Sequence, residues 1–383
     1  MFEKNFSSSE VLDLLGERSL VAAMLRFEAA LARAQAAGGL IPEAAAQSII
    51  GTCKVELFDV SQLLRDSGRT GLATALVASL RETVGLFNPQ AAALVHRGCS
   101  SEDGLVSAMA LLTRRVLDRI ESDVLSSVTA LLTLAERHST TPLLDRSLPL
   151  PAPVSSIGFL CAHWVAPLLR SLHRLRRTAG QALCVQFGSV MDPQDVLGPQ
   201  REEVTRRMAQ ELALGVTTLP GASRSDEWVV LGCELGVLAG QLGKVARDLA
   251  LLGLPEVGEV RPVLSADARR ATLGAAQTVP HRVAMLLTAL AGQDAWMPDW
   301  TEWSGLLLTV HGSTRALAQI LPGLQVDTAR MRAHINAQHA RLQKETNDAG
   351  LDPALAPPAA ARADQQIQAL RQELRLLQSG AVA

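Results

Sequence analysis

One stretch of this sequence constrains the fold more than any other, namely residues 101–137. Apolar residues recur there at steps of three and four, and neither proline nor glycine interrupts the stretch after Gly104. This spacing places the apolar side chains on one face of an α-helix, which at ~1.5 Å per residue would be roughly 50 Å long. An ordinary globular domain rarely needs such a helix, so the sequence predicts a helical bundle or an oligomer core.

Further stretches with helical spacing lie on both sides of this one. They cover residues 20–37, 154–183, 228–252, 281–293 and 301–320. Residues 253–280 contain glycine, proline and scattered charges, and we expect a long loop there with room for one short helix. No stretch shows the sustained period of two that marks β-strands. The sequence therefore predicts an all-α protein.

Composition supports this prediction, because aromatic residues make up only 3% of the chain and tyrosine is absent. The core must be built from leucine, alanine and valine, a combination that favours helix. The net charge of −2 gives no general attraction to nucleic acid or to membrane surfaces. Charged residues or glycine break every apolar stretch well before 18 residues, so no membrane span is predicted.

The cysteines and the N-terminus bear on the compartment. Five cysteines lie far apart and form no CxxC pair. This usage is typical of reduced thiols in a cytoplasmic protein, and it indicates neither a disulfide framework nor a zinc site. No apolar leader follows the first charged residues, so no signal peptide is predicted.

The C-terminal tail differs in composition from the rest of the chain. Residues 350–362 are rich in alanine and proline and are expected to form a linker. Beyond them Ile367, Leu370, Leu374 and Leu377 follow one another at helical spacing. The simpler interpretation is a helix packed on its own domain. The alternative is a coiled-coil contact, although two heptads are too few to specify one.

Six segments carry a resemblance to a known family. They are residues 20–49 (LVAAMLRFEAALARAQAAGGLIPEAAAQSI), 96–108 (HRGCSSEDGLVSA), 141–159 (TPLLDRSLPLPAPVSSIGF), 185–188 (VQFG), 242–260 (LGKVARDLALLGLPEVGEV) and 321–335 (LPGLQVDTARMRAHI). Taken in this order, they resemble the fumarase/aspartase superfamily. The Pro151-Ala152-Pro153 run is similar to the 3-carboxy-cis,cis-muconate cycloisomerase branch, since fumarases and argininosuccinate lyases usually carry histidine at the position of Pro151.

The resemblance implies three domains and a tetramer. The expected domains are an N-terminal helical domain (1–100), a central long-helix bundle (101–325) and a small C-terminal helical domain (326–383) that contains the linker. Each subunit would contribute five long helices to a twenty-helix core, and each active site would collect residues from three subunits. Long helices as apolar as these need partners beyond one chain, which agrees with that arrangement.

The resemblance also implies a reaction. Members of the superfamily remove a proton next to a carboxylate and stabilise the resulting dianion with several converging donors. Cycloisomerases use this chemistry to add a carboxylate reversibly across a muconate double bond, which forms a lactone, without a metal or an organic cofactor. The expected substrate is therefore a small polycarboxylate from aromatic-acid breakdown.

Eight residues are the candidates for catalysis or substrate binding that the resemblance implies. The proposed catalytic residues are His281, Ser100 and Ser101, and the proposed substrate-binding residues are His96, Arg282, Arg146, Gln186 and Arg224. His96, Ser100 and Ser101 are expected where a loop meets the N-terminus of the long helix, an end that favours anions. Either serine could instead cap that helix, and the two roles are compatible.

The catalytic loop of the family departs from its pattern in this sequence. The family reads G-S-S-x-M-P-x-K-x-N-P, in which the first serine is the base, and the best match is residues 274–286 (GAAQTVPHRVAML). Ala276 and Gln277 replace the serines, Arg282 replaces the lysine, and the Asn-Pro is missing. His281 is then either a substitute base or a solvated histidine. Three functions stay open: a cycloisomerase, a related lyase with a relocated base, and an oligomeric scaffold or regulator without catalysis.

Overall fold

The computed structural model of the protein describes residues 8–68, 71–146, 154–188, 197–217, 225–262, 264–291, 300–346 and 357–379. The helices in these ranges are α1 (Ser9–Leu14), α2 (Glu17–Ala37), α3 (Glu43–Thr52), α4 (Val60–Asp66), α5 (Leu72–Phe87), α6 (Pro89–Ala92), α7 (Ser101–Arg137), α8 (Ile157–Ala182), α9 (Arg201–Leu212), α10 (Ser225–Leu252), α11 (Ala266–Ala289), α12 (Trp300–Ile320), α13 (Thr328–Thr346) and α14 (Pro357–Gln378). Strands within the described residues form two short antiparallel pairs, β1 (Pro142–Leu144) with β2 (Val154–Ser156) and β3 (Val260–Arg261) with β4 (Gln325–Val326). The all-α prediction is confirmed.

Five long helices form the central bundle. α7 packs against α8 and α12, and α10 packs against α8, α11 and α12. α7 has 37 residues and is about 55 Å long, and both of its predicted ends are confirmed. The bundle core consists mainly of leucine, alanine and valine, and its largest fully buried side chain is Trp303. The Trp303 indole donates a hydrogen bond to the Thr113 hydroxyl over 2.9 Å, so its polar atom is satisfied inside the bundle.

The prediction of a long loop over residues 253–280 is wrong from Ala266 onward. α11 begins after Ser265, whose hydroxyl accepts the N–H of Ala268, and it continues through Gly274 and Pro280. Glycine and proline lower helix propensity locally, but packing against α10 and α12 outweighs that cost. The helix predicted at 281–293 is the C-terminal part of α11. Only four residues join β3 to α11.

α14 lies against the central bundle rather than apart from it. It starts at Pro357, so the end of the predicted linker is helical, which suits proline at the first helical positions. Ile367, Leu374 and Leu377 are buried where α14 packs on α8 and α7. The prediction of a helix that packs within its own chain is thus confirmed, but α14 packs on the predicted central domain and not on the described part of the C-terminal one. The beginning of the predicted linker lies outside the described residues, and the division into three domains stays a prediction.

Among the described helices, only α10 is long and apolar enough to cross a membrane by length and composition. More than half of its most apolar window is buried inside the protein. The core helix of a folded bundle passes the same test, and the contacts of α10 with three other long helices account for its apolar character.

Candidate functional site

The N-terminus of α7 is closed by a reciprocal cap. The Ser100 hydroxyl accepts the N–H of Asp103 over 3.2 Å, and the Asp103 carboxylate accepts the N–H of Ser100 over 2.9 Å. The expected capping role therefore falls to Ser100. The Ser101 hydroxyl is in the first helical turn and accepts a hydrogen bond of 3.1 Å from Thr74. Whether either serine contacts a ligand stays a prediction.

The main chain of the VQFG segment forms hydrogen bonds with side chains in the first turns of α7. The Ser107 hydroxyl donates to the Gln186 carbonyl over 3.1 Å and accepts the Gln186 N–H over 3.0 Å. Asp103 also accepts the N–H of Gly188, which has a φ of +77° that favours glycine. Burial raises the pKa of Asp103, although the two N–H groups that it accepts oppose the shift. The structure therefore brings Gln186 beside the predicted helix terminus through its main chain.

His96 lies immediately before this terminus and pairs with an acid from α2. Its Nδ1 is 2.6 Å from Glu28 Oε1, and both side chains are buried. His96 holds a φ of +61°, a left-handed conformation that is uncommon outside glycine. The Cys99 Sγ lies 3.2 Å from the same nitrogen. Burial, followed by the charges of Glu28 and Asp103, raises the pKa of the Cys99 thiol well above its ordinary value.

Glu28 is a site residue that the sequence analysis missed. A signal for it was present, because this carboxylate lies one turn after Met24 and one turn before Leu31 on the apolar face of α2. A charge on an apolar stripe is buried only if it has a partner. The partner, His96, is 68 residues away along the chain, so the pairing could not be read from local spacing.

Arg146 belongs to an ion-pair network around one buried acid. Its guanidinium donates two hydrogen bonds to Glu259, of 2.8 and 2.6 Å, and the Glu259 side chain is fully buried. The Nδ1 of His334 on α13 lies 2.6 Å from the same carboxylate. Arg146 thus neutralises a buried acid, and its substrate-binding role stays a prediction. Arg224, the other arginine predicted before α10, lies outside the described residues.

The residues matched to the catalytic loop lie inside α11, so the interpretation of 274–286 as a loop is wrong. Ala276 faces Gly243 of α10 so closely that a Cβ added at Gly243 would come within 3.0 Å of the Ala276 Cβ. His281 is exposed on α11. Arg282 donates a 2.8 Å hydrogen bond to Glu302 of α12 and lies over Gly305.

The predicted site residues that the structure describes fall into three groups within one chain, since Arg146 lies apart with Glu259. His96, Ser100, Ser101 and Gln186 meet at the start of α7. Within the described residues, neither the His281 nor the Arg282 side chain forms a hydrogen bond or ion pair with that group. That active sites draw on several subunits stays a prediction.

Comparisons with known proteins give one consistent result. The family described as "Lyase" matches residues 5–269. A 3-carboxy-cis,cis-muconate cycloisomerase of Bradyrhizobium diazoefficiens is 33% identical over 369 residues, covering 88% of this chain and 80% of that protein. A nitrosuccinate lyase of Streptomyces davaonensis is 31% identical over 376 residues, covering 89% of this chain and 78% of that protein.

The structural comparison agrees with the sequence comparison. The crystal structure of 3-carboxy-cis,cis-muconate lactonizing enzyme from Pseudomonas putida superposes with a TM-score of 0.81 at 27% identity. The match covers 99% of this chain and 88% of that structure. The order of the five long helices, the cap on α7 and these similarities lead to one conclusion: this chain belongs to the fumarase/aspartase family of lyases.

Proposed function

We propose that this chain is a cycloisomerase-type lyase that acts on a small polycarboxylate, with 3-carboxy-cis,cis-muconate as the expected substrate. The observation that carries the proposal is the assembly of three family segments at the start of α7, which bring together Glu28, His96 with Ser100, and Gln186. The N-terminus of a 37-residue helix favours a bound carboxylate electrostatically. We place the reaction in aromatic-acid breakdown in the cytoplasm, where five cysteines that form no disulfide with one another are suited.

The proposed enzyme is a homotetramer. Support comes from large apolar side chains that are 43–54% exposed on two bundle helices, namely Val230, Val237 and Leu251 on α10 and Met285 and Leu287 on α11. Exposed apolar residues along long helices are typical of surfaces that pack against other subunits. Such packing would bury these residues and extend the bundle beyond one chain.

His281 is the proposed base. It precedes the exposed Met285 by one helical turn on α11, so a neighbouring subunit that covers Met285 also reaches His281. Imidazole is the side chain that most often moves protons at neutral pH. Arg282 beside it would bind a substrate carboxylate by exchanging its present contact with Glu302.

A second function, that of an oligomeric scaffold or regulator, stays open as an alternative. The four-residue connection between β3 and α11 leaves no space for a catalytic loop, and Ala276 is packed against α10. A chain without a serine base that keeps its oligomeric bundle would act as a scaffold or regulator. The third possibility, a related lyase with a relocated base, gains support from the similarity to a nitrosuccinate lyase.

The test is turnover of purified full-length protein, followed by the loss of the ultraviolet absorbance of 3-carboxy-cis,cis-muconate. We expect turnover by the wild type, none by His281→Ala, and unchanged turnover by the matched control His163→Ala, since His163 is an exposed histidine on α8. Restoring serine at Ala276 and Gln277 should not raise turnover, because both positions are helical.

Three other outcomes would contradict the proposal in distinct ways. A tetramer by light scattering without turnover would favour the scaffold. Turnover of nitrosuccinate alone would favour a related lyase. Undiminished turnover in His281→Ala would place the base elsewhere.

A further inference from the structure

Three side chains with metal-binding atoms meet beside the start of α7. They are Glu28 of α2, His96 and Cys99, and one ligand atom from each lies within 4.8 Å of the others. His96 Nδ1 is the common neighbour, at 2.6 Å from Glu28 Oε1 and 3.2 Å from Cys99 Sγ. Glu28 is 68 residues from His96 along the chain, so no local sequence motif marks the cluster. The cluster also contains a single cysteine, so a search for CxxC pairs does not find it.

Hydrogen bonding satisfies this cluster only in part. Glu28 is 3% exposed and His96 is 9% exposed. Glu28 Oε1 is bonded to His96, whereas Glu28 Oε2 and His96 Nε2 have no hydrogen-bond partner among the described residues. A buried carboxylate oxygen without a partner carries a large desolvation cost. A cation held between the three side chains would remove that cost for the carboxylate.

We propose that Glu28, His96 and Cys99 bind one thiophilic divalent cation, with Zn²⁺ as the leading candidate. Carboxylate, imidazole and thiolate are all ligands that zinc accepts. Hard cations such as Mg²⁺ and Ca²⁺ prefer oxygen ligands, so the sulfur ligand disfavours them. The carboxylate and the thiolate carry one negative charge each and the imidazole carries none. A divalent cation therefore yields a neutral cluster, the charge state that burial favours.

The two ligand separations that involve His96 Nδ1 come close to those of a tetrahedral site, and the third lies within 4.8 Å. Zinc bonds of about 2.0–2.3 Å place neighbouring ligand atoms roughly 3.3–3.7 Å apart. The nitrogen and sulfur atoms need to separate by only a few tenths of an ångström, and the carboxylate by about 0.7 Å. Glu28 Oε2 or a water molecule can take the fourth position.

Binding involves a defined loss of a proton. The S–H bond of Cys99 breaks, a bond forms between sulfur and the cation, and the proton leaves to solvent. In the metal-free cluster His96 Nδ1 carries the proton that it donates to Glu28 Oε1. As the cation binds, that proton passes through solvent to Nε2, so His96 binds as a neutral imidazole through Nδ1 and the net loss is the one proton from Cys99. No electron is transferred and no further reactant is needed. The cluster shares His96 with the proposed substrate site, but its test is the binding of a cation and needs no substrate turnover.

The experiment uses the full-length protein, reduced and freed of metal, and titrates it with Co²⁺. We expect one Co²⁺ per chain with thiolate-to-cobalt charge-transfer absorption, which Zn²⁺ abolishes by displacement. Cys99→Ala should eliminate this absorption. The matched control Cys233→Ala, which changes a cysteine on α10 outside the cluster, should retain it in full.

A second variant separates the site from incidental binding by surface histidines. Glu28→Gln should weaken Zn²⁺ binding by at least about 10-fold, since even outer partners of a zinc site contribute that much. Far-ultraviolet circular dichroism establishes that each variant is folded, and Cys99→Ser replaces Cys99→Ala if the latter is not. Absence of the absorption in the wild type, or its persistence without Cys99, would overturn the proposal. Unchanged Zn²⁺ affinity in Glu28→Gln would do the same.

Discussion

Gly243→Ala tests directly whether the segment matched to the catalytic loop is a packed helix. Gly243 is a buried residue of α10 that faces Ala276 of α11. The added Cβ would lie within 3.0 Å of the Ala276 Cβ, whereas carbon atoms in contact are about 3.5–4.0 Å apart. The two helices must therefore separate by at least about half an ångström, or one of them must bend.

Two effects of opposite sign determine how Gly243→Ala changes the free energy of unfolding. Alanine is a better helix former than glycine by about 0.8–1 kcal/mol in a helix interior. Overpacking a well-filled contact costs about 1–3 kcal/mol. Gly274→Ala is a matched control on α11, because no neighbouring atom lies within 4 Å of its added Cβ. It should raise the free energy of unfolding by the helix-propensity gain alone. We expect Gly243→Ala to be less stable than this control by about 1–3 kcal/mol, the overpacking cost.

The assay is urea unfolding followed by far-ultraviolet circular dichroism at one fixed protein concentration, because an oligomer adds a concentration term to stability. Adding Ala276→Gly to Gly243→Ala should recover the steric part of the loss, as a double-mutant cycle measures. Equal stabilisation by Gly243→Ala and Gly274→Ala, with no recovery in the double variant, would refute the packing of α11 on α10.

Three further predictions concern buried polar groups. Burial lowers the pKa of His311 from 6.5 to about 4, so folding favours the neutral imidazole. This preference contributes about 3 kcal/mol to the free energy of unfolding. The contribution is complete above pH 6.5 and is lost as the pH falls to 4. His311→Gln should flatten that slope, and parallel pH curves would contradict the assignment. Trp303→Phe leaves the Thr113 hydroxyl without its donor and should cost about 1–3 kcal/mol in urea unfolding; no change would mean that the bond is not formed. Arg146→Gln leaves Glu259 without its cation and should cost about 3–5 kcal/mol; a loss of substrate binding at full stability would instead support its predicted binding role.

Much of the bundle could be predicted because its signals are local. Residues 101–137 carry an apolar stripe at helical spacing, and a serine that can cap a helix stands at its start, so the predicted bounds of this helix agree with those of α7. α11 was missed because Gly274 and Pro280 read as helix breakers, and the packing that outweighs them comes from α10 and α12. Propensity is a property of a few neighbouring residues, whereas packing depends on distant ones.

The candidate site was predictable only where its residues are neighbours in sequence. His96 and Ser100 were found together because they belong to one short segment. Their buried partner Glu28 is far away along the chain, and the bond between Arg146 and Glu259 spans 113 residues. Pairings of this kind are fixed by the tertiary structure, so a single sequence does not contain their distances.

The proposed activity is tested most directly by product analysis in D₂O. Addition of a carboxylate across a muconate double bond requires a proton from solvent on the neighbouring carbon. Nuclear magnetic resonance should therefore show a lactone with one deuterium when the wild type is incubated with 3-carboxy-cis,cis-muconate, and no lactone above the buffer level with His281→Ala. A folded tetramer that forms no deuterated lactone from this substrate would contradict the proposed function.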